Sequence, residues 1–388
     1  MNRKSALSTA ALVGMLIGAA PAAKDPPPIA NYWMDVSTAS GMGPGMSAAQ
    51  MMSAMSGGGG SVMHTLDLRL ASKDKAPAPQ ADHLIPPGLQ MGPSLPLITP
   101  VREEAPRGEP GMPAQWQQPK GRMLIYWGCG EHVSAGQPTV IDFSKMTPGK
   151  VPPGMAAMAS MAHVVTGPTS APGFGRWPND KDRRQVPATG SLLGGHKVEG
   201  NYSPPIAFSL AAGQDFMPGL GLREAGALPS GADRLAWTQA AQATGYALAM
   251  FGSNGGGDVI MWSSAKSASM PALDYLAPAE VKRLVAAGSV LPPSTSECVL
   301  PAEVAAAVPM GMVMMIGYGP EAYFAEKPKA PKWTTRVRYK TTASLMRGMG
   351  AMMGAAGSDG APPQDPQQPP KKKKRGFGLG DLIGAVPH

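Results

Sequence analysis

The chain has 388 residues and a formal net charge of +8, with 43% hydrophobic and only 15% charged residues. Glycine and proline number 49 and 43, a share that favours many turns and short strands over long helices. The hydrophobic content is sufficient for a core, which excludes a wholly disordered chain. Five cations are consecutive at 371–375, so the rest of the chain is near neutral and the basicity does not indicate nucleic-acid binding.

The first 22 residues have the three parts of a secretory signal peptide. Arg3 and Lys4 form a positive start, residues 6–20 are apolar or small, and 20–22 (APA) supply small residues at a cleavage site. The apolar stretch has about 15 residues, fewer than the roughly 20 that a membrane-spanning helix needs. We therefore expect cleavage before Ala23 and export to the periplasm or the cell surface.

Alternating and apolar runs bounded by turn residues predict strands along most of the chain. The clearest is 64–70 (HTLDLRL), where three leucines face one side and Asp67 and Arg69 face the other. It would form a hairpin with a strand at 31–40, across the Met/Gly-rich connection 41–60. Strands are predicted at 31–40, 64–70, 122–127, 139–143, 206–210, 234–238, 243–251, 258–263, 297–300, 310–318 and 334–342.

One helix is predicted, at 278–287. Pro278 suits its first turn, and valine and leucine form an apolar stripe along it. Residues 72–120 and most of 147–188 lack a period, and we interpret them as loops and turns. The most apolar later stretch, 304–318, is too short to span a membrane, so we expect no transmembrane segment after cleavage.

The run 234–246 (RLAWTQAAQATGY) resembles the second and third strands of fibronectin type III modules. In that family a tryptophan and a tyrosine pack across a two-sheet core, and the resemblance implies this role for Trp237 and Tyr246. It extends over 204–342, except for a helix-bearing insertion, 265–296, that is foreign to the family. The whole chain is also similar to uncharacterised exported proteins of alphaproteobacteria. Such sandwiches are mainly binding and spacing modules, so the resemblance implies no chemistry.

The expected fold class is mainly β, with one or two β-sandwich-like domains, a small helical insertion and low-complexity ends. The expected domain organisation has five parts. They are a signal peptide (1–22), an N-terminal β-rich domain with Met/Gly-rich and Pro-rich loops (23–163), a connecting segment (164–203), the fibronectin type III-like sandwich (204–342) and a low-complexity linker with a basic tail (343–388).

The chain has two cysteines, Cys129 and Cys298. Two cysteines in an oxidising compartment can form one disulfide, but 169 positions separate them and the sequence does not show whether they meet. Cys129, Glu131 and His132 also place three potential metal ligands within four residues. A metal site needs further convergent ligands, and the sequence offers no second cluster. We therefore interpret this motif as the end of a strand with a turn.

Methionine is unusually frequent, with 28 residues. Met155, Met158, Met161 and His163 place three thioethers and one imidazole at near-helical spacing. Thioethers favour Cu(I), and exported proteins encounter copper. The alternative is that these methionines fill irregular cores and small-residue loops. Copper is therefore the cofactor of a second hypothesis, whereas the first hypothesis needs no cofactor.

The basic run 371–375 follows a Pro/Gln linker and precedes a short apolar segment. Basic residues gain about 1 kcal/mol each near an anionic membrane. The alternative is a solvated, disordered tail. The expected partner is an anionic lipid or an envelope polymer, and no specific nucleic acid. The cations concerned are Lys371, Lys372, Lys373, Lys374 and Arg375.

The sequence shows no P-loop, HExxH, paired CxxC or nucleophile-elbow pattern. No nucleophile and base can be named as a pair. The sequence thus predicts a non-enzymatic binding or structural module of the cell envelope, with a Met-rich copper-binding protein as the alternative.

Overall fold

Strands dominate the computed structural model, which describes residues 26–41, 62–100, 121–145 and 163–348. All of these residues belong to the first of two units, Met1–Gly348; the second unit is Met349–His388. The prediction of a mainly β, sandwich-like fold is confirmed.

In chain order, the strands are β1 (Ala30–Gly41), β2 (Met63–Ser72), β3 (Ala81–Leu84), β4 (Ser94–Pro96), β5 (Arg122–Trp127), β6 (Thr139–Asp142), β7 (Gly173–Trp177), β8 (Gly194–Gly200), β9 (Ser203–Leu210), β10 (Arg223–Ala227), β11 (Asp233–Ala236), β12 (Gly245–Ser253), β13 (Val259–Ser263), β14 (Glu297–Leu300), β15 (Gly311–Ala325) and β16 (Trp333–Arg347). The α-helices of the described residues are α1 (Pro278–Ala286) and α2 (Ala302–Ala307).

The strands of the described ranges form three sheets. The largest has the order β6-β5-β13-β12-β15-β16-β1-β2-β7, and the smaller two have the orders β4-β3-β8-β9 and β10-β11-β14. In the large sheet, β1 is parallel to β16 and antiparallel to β2, as the predicted hairpin requires. This sheet therefore combines strands from 23–163 with strands from 204–342.

One face of the large sheet, here called the inner face, packs against the two smaller sheets. Leu66, Leu68 and Leu70 of β2 point inward and are at most 4% exposed, as their alternation predicts. Val198 of β8 and Leu235 of β11 belong to the same apolar core, so a single core joins all three sheets. Full burial of each such side chain contributes about 1.5–3 kcal/mol.

Trp237 and Tyr246 lie in this core, with ring centroids 5.7 Å apart. The Tyr246 hydroxyl accepts a hydrogen bond of 2.8 Å from the Ala240 amide, which satisfies its polar end. The two rings therefore pack together as the resemblance implies, while the fibronectin type III assignment itself stays a prediction.

A buried polar chain crosses the core from β1 to the four-stranded sheet. The Tyr32 hydroxyl lies 2.9 Å from His83 Nδ1, and His83 Nε2 lies 3.0 Å from His196 Nδ1. His196 Nε2 lies 2.7 Å from the Leu192 carbonyl oxygen, which can only accept. His196 Nε2 must therefore donate. Within this series of hydrogen bonds from Tyr32 to Leu192, every donor has an acceptor only when both imidazoles are neutral.

The opposite, outer face of the large sheet is partly covered by α1. Val281 and Leu284 of this helix pack on Ala247, Ile316 and Tyr318 of β12 and β15. The predicted helix is confirmed, and its proline stands at the first turn as expected. The outer face over β16, β1 and β2 lies beyond this helix and carries the polar side chains described below.

Several elements differ from the prediction. The range 72–120, interpreted as loop, contains β3 and β4, and 147–188 contains β7. Residues 343–347, assigned to the low-complexity end, continue β16, and α2 was not predicted. Of the missed strands, β3, β4, β7 and β10 have only three to five residues, too few to establish a period. The fifth, β8, lies in the predicted connecting segment 164–203; it has seven residues but Val198 is its one aliphatic side chain.

Candidate functional site

A buried ion pair joins the first and last strands on the outer face. Arg338 of β16 donates from Nε to Asp35 Oδ1 of β1 at 2.6 Å, and from Nη2 to Asp35 Oδ2. Both side chains are 5% exposed, and Arg338 Nη1 also donates to the Val165 carbonyl. Burial raises the pKa of Asp35, and the hydrogen bonds from Arg338 oppose this shift. The bidentate contact fixes the position of both groups.

Asp67 of β2 lies directly opposite Asp35 and has its own cations. Arg69 donates to both Asp67 oxygens, at 2.8 and 3.0 Å, and Arg176 of β7 approaches Asp67 Oδ2 at 3.4 Å. The hydrogen bond to Asp67 raises the pKa of Arg69. Two carboxylates on neighbouring strands are thus each compensated by an arginine.

Aromatic rings separate the cations along β16. The guanidinium carbons of Arg336 and Arg338 lie 4.7 and 4.8 Å from the centroid of the Trp33 ring. Arg338 and Lys340 lie 4.6 and 4.2 Å from the centroid of the Tyr275 ring. Contacts of this kind contribute about 0.5–2 kcal/mol each and hold long cationic side chains in place.

Two segments of chain form walls above this face. The segments 163–167 and 272–276 meet at a bridge between Val164 and Leu276. The Tyr318 hydroxyl donates to the Ala272 carbonyl at 2.6 Å, which ties the second segment to β15. The first segment crosses so close to Trp33 that a Cβ at Gly167 would lie 3.2 Å from the indole ring.

The sheet and these walls enclose a cavity of about 460 Å³, here called the outer-face groove. Lys340 lies 3.2 Å from Asp274. Burial of Asp274 acts to raise its pKa, but Lys340 and Arg338 hold it below the usual value. Formal charges in the lining cancel, and hydroxyl groups lie between them. The groove is lined by Asp35, Asp67, Asp274, Arg69, Arg338, Lys340, Tyr275, Ser37, Thr65, Thr166 and Thr342, with Leu66, Gly167 and Pro178.

A second cavity, of about 580 Å³, lies between the start of β2 and the loop after β7. Several of its cations are paired with nearby carboxylates: Arg183 contacts Asp180, and Arg184 contacts Asp182 at 2.7 Å. The hydrogen bonds from Arg184 lower the pKa of Asp182 to about 2. The lining of this second cavity is mainly apolar, whereas half of the lining surface of the outer-face groove is polar, so the groove is the stronger candidate for binding a polar ligand.

The structure joins Cys129 and Cys298 in a disulfide, with a Cα–Cα distance of 5.2 Å. Cys129 is therefore not a thiolate ligand, and His132 Nδ1 lies 3.0 Å from Glu303. Over the residues that the structure describes, no group of three or more His, Cys, Asp or Glu side chains is placed to hold a metal ion.

The other predicted site residues are mostly beyond the described ranges. His163 is exposed, and its backbone amide donates to Glu280 Oε1 at 3.2 Å. The remaining members of the predicted copper motif, the predicted signal peptide and the basic tail lie outside the described residues: Met155, Met158, Met161, 1–22, Lys371, Lys372, Lys373, Lys374 and Arg375.

The sequence contained a signal for the groove that the site prediction did not use. Asp67 and Arg69 alternate with leucines in β2, and RVRYK at 336–340 places a cation at every second residue of β16. Alternation of charged with apolar residues marks one polar sheet face. Only the register of β1 between these strands shows that the two polar faces adjoin.

Comparison of the chain with protein-family models, curated proteins and solved structures finds no match. In the described ranges, no helix combines the length and apolar character needed to cross a membrane. The fold and the groove are therefore the basis of the functional argument.

Proposed function

We propose that this protein is an exported, non-enzymatic binding module of the cell envelope, and that the outer-face groove binds a hydroxyl-rich part of an envelope polymer such as a saccharide. The observation that carries the proposal is the groove itself, in which paired charges and hydroxyl groups surround a cavity of about 460 Å³. This volume is within the usual range for ligand pockets.

The chemistry of the lining favours a polar ligand without a large net charge. Three carboxylates and three cations compensate one another, so a strongly charged ligand would disturb the existing ion pairs. Each ionic group still has capacity beyond these pairs, because a carboxylate accepts about four hydrogen bonds and an ammonium donates three. A sugar ring offers hydroxyls that both donate and accept, which suits such a surface.

Two observations support export: the signal-peptide pattern of residues 1–22 and the disulfide between Cys129 and Cys298. Disulfides form and persist mainly in oxidising compartments. N-terminal sequencing of protein from the envelope fraction tests this part of the proposal. A mature start at or near Ala23 is expected, and an intact Met1 on that material would contradict it.

Sedimentation with insoluble envelope polymers tests the binding proposal. The full-length protein should pellet with a glycan polymer, and soluble neutral saccharides cut from that polymer should release it. Salt should have little effect on this binding, since the groove is neutral overall. If only anionic polymers retain the protein, and neutral saccharides never release it, the groove is not the binding site.

A further inference from the structure

Three methionines occupy neighbouring positions of β15 and β16, at the end of the outer face beyond α1. Met312 of β15 lies directly opposite Met346 of β16, and Met314 opposite Ser344. In antiparallel pairs, opposite Cβ atoms are about 4.5–5.5 Å apart, and diagonal neighbours about 7–8 Å. Met314, two residues along the same strand, is thus within reach of both.

The burial pattern assigns all three side chains to the same face. Val313 and Met315 belong to the inner core, whereas Ile316 and Tyr318 pack under α1 on the outer face. Alternation therefore places the even-numbered residues of this part of β15 outside. Met346 follows Leu345, which packs against the inner core, so it also faces outward.

Two more methionines, Met261 and Met270, lie further along the same sheet, and Phe251 of β12 separates Met261 from Met312. Phe251 of β12 is opposite Met312, and Met261 of β13 is opposite Phe251. Met270 packs with Met261 in a small apolar cluster that Phe251 adjoins. The side chain of Met314 is 37% exposed, so an ion from solvent can reach the group.

We propose that Met312, Met314 and Met346 bind one soft monovalent cation, Cu(I), through their thioether sulfurs. Thioethers are neutral, soft ligands that select Cu(I) over the harder divalent ions. Methionine has three rotatable bonds, so three such side chains on adjacent positions can turn their sulfurs towards one point. The site is distinct from the outer-face groove and does not depend on what the groove binds.

The test uses full-length protein labelled with ¹³C at the methionine methyl groups and titrated with Ag(I), a redox-inert substitute for Cu(I), in chloride-free buffer. Single leucine substitutions assign the three signals, since Leu and Met have similar volumes. The methyl signals of Met312, Met314 and Met346 should move together and stop moving when one equivalent has bound to this site. Signals that stay fixed, or that move at different Ag(I) concentrations, would overturn the proposal.

The combined variant Met312→Leu, Met314→Leu and Met346→Leu should bind one Ag(I) fewer than the wild type. The matched control is Met63→Leu, because Met63 lies on β2 opposite Ala39 and not beside these residues. The control should keep the three-signal response unchanged. A combined variant that binds as many Ag(I) ions as the wild type would also overturn the proposal. If that variant does not fold, the spectra of the single variants test the proposal instead.

Discussion

The Tyr32, His83 and His196 side chains form a polar chain in the core, and this arrangement keeps both imidazoles neutral. Burial lowers the pKa of His83 well below its ordinary value of 6.5, and the neighbouring His196 adds to this shift. Burial also lowers the pKa of His196. Protonation of either ring would break the donor–acceptor order, because both nitrogens of an imidazolium donate.

The free energy of unfolding should therefore fall as the pH falls from about 6.5 to 5. In this window the unfolded chain binds protons that the folded chain does not, so acid favours unfolding. We expect a loss of roughly 2 kcal/mol by pH 5 for each histidine whose pKa is fully depressed. The carboxyls of Asp182, Asp258 and Glu280, whose pKa is lowered to about 2, lose their contribution only at lower pH.

Urea unfolding at pH 7.5, 6.5 and 5 measures this dependence. As a matched variant, Tyr32→Phe removes the donor to His83 and should cost about 1–3 kcal/mol at neutral pH, since a buried acceptor is left unpaired. A stability that is flat or rises towards pH 5 would show that the two imidazoles are not buried and neutral.

A second residue-scale prediction concerns the Asp35–Arg338 pair. Arg338→Met should cost about 3–5 kcal/mol, because it leaves a buried carboxylate without its cation. Asp35→Leu combined with Arg338→Met should recover most of that loss, since neither charge remains. Thermal unfolding of the single and double variants measures both values, and additive losses would contradict the coupling.

At the scale of elements, the disulfide ties the turn after β5 to β14, and so joins the large sheet to the three-stranded sheet. It closes a separation of 169 residues, and such a link restricts the unfolded chain strongly. The combined variant Cys129→Ser and Cys298→Ser should lose about 2–5 kcal/mol in urea unfolding. Alkylation of envelope-derived protein without reductant should label no thiol; two labelled cysteines would contradict the link.

Strands with a clear local pattern were predicted from the sequence, and strands without one were not. The predicted bounds of β2 and β14 agree closely with the observed ones, because alternation or an apolar run marks these strands in the sequence. β3 (ADHL) buries Ala81 and His83, and a histidine does not count as apolar in such a pattern. Its burial depends on hydrogen bonds with Tyr32 and His196, which are distant in sequence.

The candidate site depends on the topology of the whole chain. Asp35 and Arg338 are 303 positions apart, and they meet because β1 lies parallel to β16. No local pattern indicates which strands become neighbours or whether they run parallel. The polar faces of β2 and β16 could therefore be predicted from the sequence. Their positions side by side in one groove could not.

The basic tail should give the whole molecule a second, salt-sensitive contact. Full-length protein should sediment with anionic vesicles at 0.1 M salt more strongly than a chain ending at Pro370. The difference should disappear at 1 M salt, where the Debye length shrinks from about 10 Å to about 3 Å. Equal binding by both chains, or binding that ignores salt, would favour a tail that is only solvated.

Calorimetric titration with a soluble saccharide from the retained polymer tests the groove most directly. Lys340→Met should bind at least about tenfold more weakly, since a hydrogen bond to a charged group contributes about 1.5–3 kcal/mol. Thr342→Val should bind a few-fold more weakly, whereas Thr334→Val, on the same face of β16 but outside the groove lining, should bind like the wild type. If folded Lys340→Met and Thr342→Val both bind with wild-type affinity, the outer-face groove is not the ligand site.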